Sequence, residues 1–276
     1  MRLRAFRRAV ALIFTLAICV LDYWRHRFLG RLTVVQRAHW LHRSCCRVLR
    51  AFGIRLTIHG SPPAHGLVVS NHLSYLDIMI LGAAMPCFFV AKAEIARWPY
   101  FGKAARTGAT IFIDRKSRAS TIEVARLMAE RLTLPVPVLL FPEGTSTDGS
   151  SVLHFHSSLF EPAVAASAPV TAAAVRYVLR DGESECDLCW FDDALFLPHL
   201  WKALGVSGFS AEVAFGEPRV HADRRTAAEA THDEVAAMRA REATKLLAGS
   251  SQLDRAARRH MGCLKEPKRP EPAHLG

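Results

Sequence analysis

Within this 276-residue chain, His72 and Asp77 are the residues whose types and spacing can do chemistry. A carboxylate beside an imidazole holds its tautomer and stabilises the imidazolium, which makes the ring a usable general base near neutral pH. The pair lies in Val68-Val69-Ser70-Asn71-His72-Leu73-Ser74-Tyr75-Leu76-Asp77. The apolar run 67–69 follows the breakers Pro62, Pro63 and Gly66 and predicts a buried strand. Ser74 offers an N-cap for a helix that starts at Tyr75. A strand that delivers a histidine to its carboxyl end, just before a helix, is where α/β sheets open their ligand crevices. Asp77 approaches His72 only if the chain turns sharply between them. A surface histidine and a solvated helix aspartate would give the same spacing, so the pair alone decides nothing.

A second stretch of the same design follows about seventy residues later: Val138-Leu139-Leu140-Phe141-Pro142-Glu143-Gly144-Thr145-Ser146, an apolar strand ending in a tight polar turn. Gly144 permits a positive φ or a close backbone approach, and Pro142 stiffens the entry. Exposed amides there can bind an anion or a hydroxyl, while Glu143 can accept hydrogen bonds from a polyol or hold an arginine cluster. Two further strands are predicted between these stretches. Phe88–Ala91 ends at Lys92, and Thr110–Ile113 ends at Asp114-Arg115. Arg115 carries a planar, permanent charge suited to an anion, and Lys92 is a second candidate for the same anion.

Composition narrows the choice of partners. The chain is long enough for one sizeable α/β core, and half its residues are apolar, too few for a multi-span membrane protein. The net charge of +11 attracts anions: nucleic acid, acidic lipid headgroups or an anionic substrate. No nucleic-acid motif is present and the aromatics sit in core-like positions, so lipid leads and nucleic acid is set aside. Seven cysteines without framework spacing favour a reducing compartment. Cys186-x-x-Cys189 lacks a second pair for zinc, and Leu188–Phe191 also reads as a strand, so no metal is expected.

The N-terminus carries Arg2, Arg4, Arg7 and Arg8 before the uncharged run Ala9–Leu21. Thirteen helical residues span only about 20 Å, short of a bilayer's hydrocarbon core. The expectation is a short membrane anchor, interfacial or tilted and partly inserted, with Tyr23 and Trp24 at headgroup level. From Gln36 to Phe52 an amphipathic helix follows, its apolar residues interleaved with Arg37, Arg43, Arg47 and Arg50. Membrane contact is expected of it too. Further expectations are a strand at Ile54–His59, helices at Ser120–Leu132 and Ser158–Ala166, and a strand at Pro169–Val178. Ala211–Gly216 reads as another strand and Thr226–Ala248 as a final helix. The organisation is then an anchor and amphipathic helix over 1–52, an α/β domain over 53–250 and a basic, disordered tail over 251–276.

Asn71-His72-(four residues)-Asp77 and Phe141-Pro142-Glu143-Gly144-Thr145, in this order and separation, resemble the glycerophospholipid acyltransferase family. Lys92-Ala93-Glu94, Trp98-Pro99-Tyr100-Phe101-Gly102 and Gly108–Arg115 extend the resemblance over roughly residues 60 to 220. It implies an α/β fold with a mixed central sheet flanked by helices, and membrane-associating helices at the N-terminus. It implies acyl transfer from acyl-CoA or acyl carrier protein to the hydroxyl of a lyso-lipid, without a cofactor, at the cytoplasmic face of a bacterial inner membrane. The leading acceptor is 1-acylglycerol-3-phosphate, giving phosphatidic acid. The alternatives are a lyso-ornithine lipid or a non-catalytic lipid-binding role on the same scaffold. His72 and Asp77 become the catalytic pair, and Asn71, Lys92, Arg115, Glu143, Gly144 and Thr145 the substrate-binding set. Two departures touch the acceptor: Ser146 stands where the family usually has Arg, and His156 where Lys is common.

Overall fold

A computed structural model of the chain describes residues 2–30, 32–98, 100–114, 117–179 and 183–241. Met1–Met238 forms one compact unit; a second begins at Arg239 and is described only as far as residue 241. The expected tail, the end of the last helix and Arg115 lie outside the described residues.

Among the described residues seven strands form one mixed sheet: β1 (Arg55–His59), β2 (Leu67–Ser70), β3 (Phe88–Lys92), β4 (Ile111–Ile113), β5 (Val138–Leu140), β6 (Val170–Leu179) and β7 (Phe209–Phe215). Their spatial order is β1-β7-β6-β2-β5-β3-β4. Every pairing is parallel except β6 with β7. β2 lies at the centre and is buried throughout. Its side chains alternate between two cores, Val68 packing on one face and Leu67 and Val69 on the other. From β2 the chain moves past β5 to β3; from β5 it crosses back past β2 to β6. The loops after β2 and β5 therefore leave in opposite directions, and a crevice opens between them.

The helices are α1 (Arg2–Phe28), α2 (Val34–Phe52), α3 (Leu76–Ala84), α4 (Phe101–Thr107), α5 (Arg118–Leu132), α6 (Glu161–Ala165) and α7 (Phe196–Gly205), with a further helix over 224–241. α2 begins in a capping box between Thr33 and Gln36, and its last turn closes on Gly53. Its apolar residues Trp40, Leu41, Cys45, Val48, Leu49 and Phe52 are all buried in the protein core. The expected membrane contact of α2 therefore has no apolar face to use, because α1 and α3 already cover it. α1 is different. Ala5, Ala9, Leu12, Leu16 and Cys19 pack inward, while Leu3, Phe6, Ile13, Phe14, Ile18, Leu21, Trp24 and Phe28 stay exposed. Tyr23, expected at headgroup level, packs edge-on against Trp40 instead, with ring centroids 5.6 Å apart. Among the described residues no helix is long and apolar enough to cross a membrane.

Part of the N-terminal positive charge is committed within the fold. Arg8 donates to the Leu204 and Val206 carbonyls at 3.1 and 2.8 Å, capping the C-terminal end of α7. Leu188–Phe191, expected as a strand, is a single 3₁₀ turn (Glu185–Leu188) followed by extended chain. A capping box between Ser184 and Asp187 starts that turn. The Trp190 N–H then goes to the Leu73 carbonyl at 2.8 Å, so the segment crosses the sheet's loops instead of joining its ladder.

Candidate active site

β2 ends at Ser70, and the next four residues are coil before α3. Asn71 is buried, and its amide exchanges two bonds with the Val175 backbone on β6, at 3.1 and 2.8 Å. That pins the chain to the sheet where β2 leaves it, and it places Asn71 behind the site. His72 follows, partly exposed, its N–H bonded to Glu143 Oε1 at 2.7 Å.

The sharp turn required between His72 and Asp77 is made by Asp77 itself. Its Oδ2 accepts from Leu73 N–H at 2.6 Å, from Ser74 N–H at 3.0 Å and from His72 Nδ1 at 2.8 Å. Its Oδ1 accepts from the Tyr177 hydroxyl on β6. The aspartate, fully buried in the first turn of α3, thus reaches backwards to fix the loop before the helix; the cap expected of Ser74 is not made, and α3 begins with no side-chain cap bond. Ser74 Oγ is buried with no hydrogen-bond partner among the described residues. Because Asp77 already receives three other donors, the imidazole is the donor in the His72–Asp77 bond. Nε2 is left as an acceptor with no partner among the described residues. The ring itself is held flat against Phe141, with centroids 4.1 Å apart and planes 16° apart.

Glu143 is buried at the end of β5 with one backbone amide on each carboxylate oxygen: His72 N–H on Oε1 and Leu153 N–H, at 2.8 Å, on Oε2. Burial pushes its carboxyl above the usual range, and those two bonds pull the other way. Among the described residues Glu143 binds these two amides and no arginine, and so it ties the two loops together. Gly144 adopts φ 77°, as its turn requires, and its N–H closes on the Phe141 carbonyl at 3.1 Å. Thr145 and Ser146 line the crevice, and their N–H groups have no acceptor among the described residues. The Ser146 hydroxyl donates to the Trp190 carbonyl.

These loops surround a cavity of about 330 Å³. His72, Gly144, Thr145 and Lys92 line it, so the structure brings these predicted residues together; Asn71, Asp77 and Glu143 stand behind them as supports. Most of the wall is apolar: Ile78, Met79, Phe89, Val90 and Ile95 on one side, Trp98, Phe101, Trp190 and Phe196 on another. The last four rings pack edge-on at 5.2 to 6.4 Å. Tyr75 joins them, its hydroxyl 3.0 Å from His199 Nδ1 on α7. Sequence reasoning missed Tyr177, Tyr75 and the 189–196 segment. A tyrosine in the aliphatic strand β6 was the available signal, since a buried phenol needs a partner. An imidazole held at Nδ1 by a buried carboxylate, with Nε2 free at an apolar cavity, can take a proton from a hydroxyl beside a long aliphatic group.

The acyltransferase family model matches residues 55–176 of the chain. A lyso-ornithine lipid O-acyltransferase of Rhodobacter capsulatus is 39% identical over 183 residues, 63% of this chain and 65% of that protein, just under two thirds of its length. A protein of the same description from Brucella abortus is 33% identical over 210 residues, 69% of this chain and 78% of its own. A 1-acyl-sn-glycerol-3-phosphate acyltransferase of Neisseria meningitidis is 35% identical over 172 residues, 61% of this chain and 67% of its own. Among solved structures, the 1-acyl-sn-glycerophosphate acyltransferase of Thermotoga maritima matches with a TM-score of 0.63 at 18% identity, covering 86% of this chain and 97% of that one. The last match speaks for the fold alone.

Proposed function

The chain belongs to the acyltransferase family, and on that premise we propose that it moves a fatty acyl group from a thioester, acyl-CoA or acyl carrier protein, to the free hydroxyl of a lyso-lipid. The observation that carries this reading is the His72–Asp77 bond with Nε2 left free at the cavity. His72 Nε2 takes the hydroxyl proton as the acceptor oxygen attacks the thioester carbonyl. The new C–O bond forms, the C–S bond breaks, and the proton passes from His72 to the departing thiolate. Asp77 stabilises the imidazolium between those steps. The acceptor is itself the nucleophile, so no acyl-enzyme is required. The Thr145 and Ser146 amides are the nearest candidates to meet the tetrahedral oxyanion. The apolar wall from Ile78 to Ile95 suits an acyl chain.

The relatives' names supply two acceptors, lysophosphatidate and lyso-ornithine lipid. Both present a hydroxyl to the same base, so the reaction at His72 is common to them. Arg115, expected to hold an acceptor phosphate, lies outside the described residues.

The exposed apolar stripe of α1 supports docking along a membrane surface. It runs from Leu3 to Phe28 on one side of a 27-residue helix, about 40 Å long. In-plane insertion suits such a stripe better than a span, because the opposite face is packed on α2 and α7.

The test is turnover of labelled acyl-CoA with lyso-lipid in the presence of membranes. His72→Ala should lose about 10²–10⁴-fold in turnover while keeping its fold, and CoA release should depend on the lyso-lipid. Near-normal transfer by a folded His72→Ala protein sinks the assignment; CoA release without lyso-lipid makes the protein a thioester hydrolase.

A further inference from the structure

Two charged side chains join His72 in lining the cavity, and they are of opposite sign: Lys92 at the end of β3, and Asp192 in the segment before α7. Neither has an ion-pair or side-chain hydrogen-bond partner among the described residues, and they do not pair with each other. Asp193 and Glu94 are likewise without such a partner among the described residues but do not line the cavity, whereas other acids near the site are bonded. Asp77 and Glu143 take several donors each, Asp148 binds Ser150, and Asp187 binds Lys202.

Asp192 is also held in place. Its φ of 51° lies in the left-handed region, where aspartate and asparagine are tolerated better than most side chains. That preference explains a small polar residue, but it does not call for a charge, and the carboxylate makes no bond to its own turn. The segment around it is tied to the site's loops by Trp190 N–H on Leu73 O at 2.8 Å, by the Ser146 hydroxyl on Trp190 O, and by Cys189 Sγ on Asp148 O at 3.4 Å. Trp190 Nε1 closes the turn on Ala194 O at 2.7 Å. The backbone that carries Asp192 is therefore tied to the site's loops, and its carboxylate is exposed at the cavity mouth.

We propose that Asp192 and Lys92 are the two poles of a headgroup subsite. The acceptor this site takes is then a lyso-lipid whose headgroup carries both an amine and a carboxylate, an amino-acid-derived zwitterion, in preference to one carrying only phosphate. The proposal rests on the acyl-transfer reading and deepens it. Lys92 serves either headgroup, since a carboxylate and a phosphate are both anions. Asp192 separates them: it attracts an ammonium and repels a phosphate dianion at the same mouth.

The experiment measures kcat/KM of the full-length protein in mixed micelles with acyl-CoA and, in turn, lyso-ornithine lipid and lysophosphatidate. Wild type should favour the ornithine acceptor. Asp192→Asn keeps the backbone preference and removes the charge. It should lower kcat/KM about 2- to 5-fold for lyso-ornithine lipid through KM, a value discounted for exposed side chains. It should raise use of lysophosphatidate, so that the ratio of the two falls by about four-fold or more. Lys92→Gln should weaken both acceptors. Asp192→Asn slowing both acceptors alike, or leaving the ratio where it was, overturns the subsite. Wild type that acylates neither acceptor refutes the acyl-transfer reading instead. Equilibrium binding of both lyso-lipids to His72→Ala, with and without Asp192→Asn, then judges the subsite independently of turnover: affinity for lyso-ornithine lipid that ignores residue 192 overturns it.

Discussion

Tyr177→Phe tests how the site is built, because it deletes one oxygen and leaves the ring in place. Tyr177 is buried on β6, packed against Phe209 with centroids 5.7 Å apart, and its hydroxyl is the single described donor to Asp77 Oδ1. Removing it leaves that carboxylate oxygen buried and unpaired. A hydrogen bond to a charged group is worth about 1.5–3 kcal/mol. For a unit of this size each kcal/mol moves Tm by about 2–4 °C, so the loss should be about 3–12 °C. Turnover should fall less steeply. Oδ2 keeps its three bonds, two of them to backbone amides that the substitution does not touch. The carboxylate stays oriented and kcat should drop by about 3- to 30-fold, well short of the loss for His72→Ala. Differential scanning calorimetry and the acyl-transfer assay read the two effects. A variant with unchanged Tm and unchanged kcat would show that β6 does not hold Asp77; a loss as deep as that of His72→Ala would show that the backbone amides alone cannot orient it.

Asp77→Asn should fold, since an amide oxygen can replace Oδ2 and the Tyr177 hydroxyl can accept from the amide nitrogen. With the negative charge gone, turnover should fall by about 10²–10⁴-fold, and near-normal activity would remove Asp77 from the mechanism. On the exposed stripe of α1, replacing Ile13 and Phe14 together by Asp should reduce co-sedimentation with anionic vesicles without lowering Tm. Full retention on vesicles at high salt would place the membrane contact elsewhere. Burial holds the His199 imidazole below its ordinary value of 6.5, with Lys202 adding to the effect and a backbone bond near Cys189 opposing it. The unfolded chain then binds a proton that the native state refuses. Stability is full above about pH 6.5 and declines as pH falls towards the native value. His199→Gln should flatten Tm between pH 7 and 5, and an unchanged slope would show that another group titrates there.

The chain's own pattern made the centre of the site legible and its supports much less so. An apolar β-branched run broken by Asn71-His72 marks a central strand end in any α/β sheet, and the Phe141–Thr145 turn marks its neighbour. What the pattern does not carry is which polar side chain serves the fold. Glu143 and Asn71 are exposed-looking polar residues in sequence, yet both are buried because backbone amides satisfy them. Ser74 looked like a helix cap because serine favours that position; α3 starts without a side-chain cap, and the carboxylate three residues later binds the loop amides before it. Tyr177 was easy to pass over because a strand tyrosine and a core aromatic share one periodicity, and only its hydroxyl, which needs a partner when buried, marked it. Leu188–Phe191 read as a strand from its apolar residues, and two of them, Trp190 and Phe191, are apolar because they wall a cavity.

Three successive amides, those of His72, Leu73 and Ser74, end on buried side-chain carboxylates: the first on Glu143, the next two on Asp77. The stretch has no ladder and no helix, so by its backbone class it is a loop. By its proton partners it belongs to the interior. Its amides should exchange with solvent deuterium as slowly as those of β2 and β6, and only when the sheet itself opens. The reacting imidazole then rides on a segment whose lifetime is that of the whole fold.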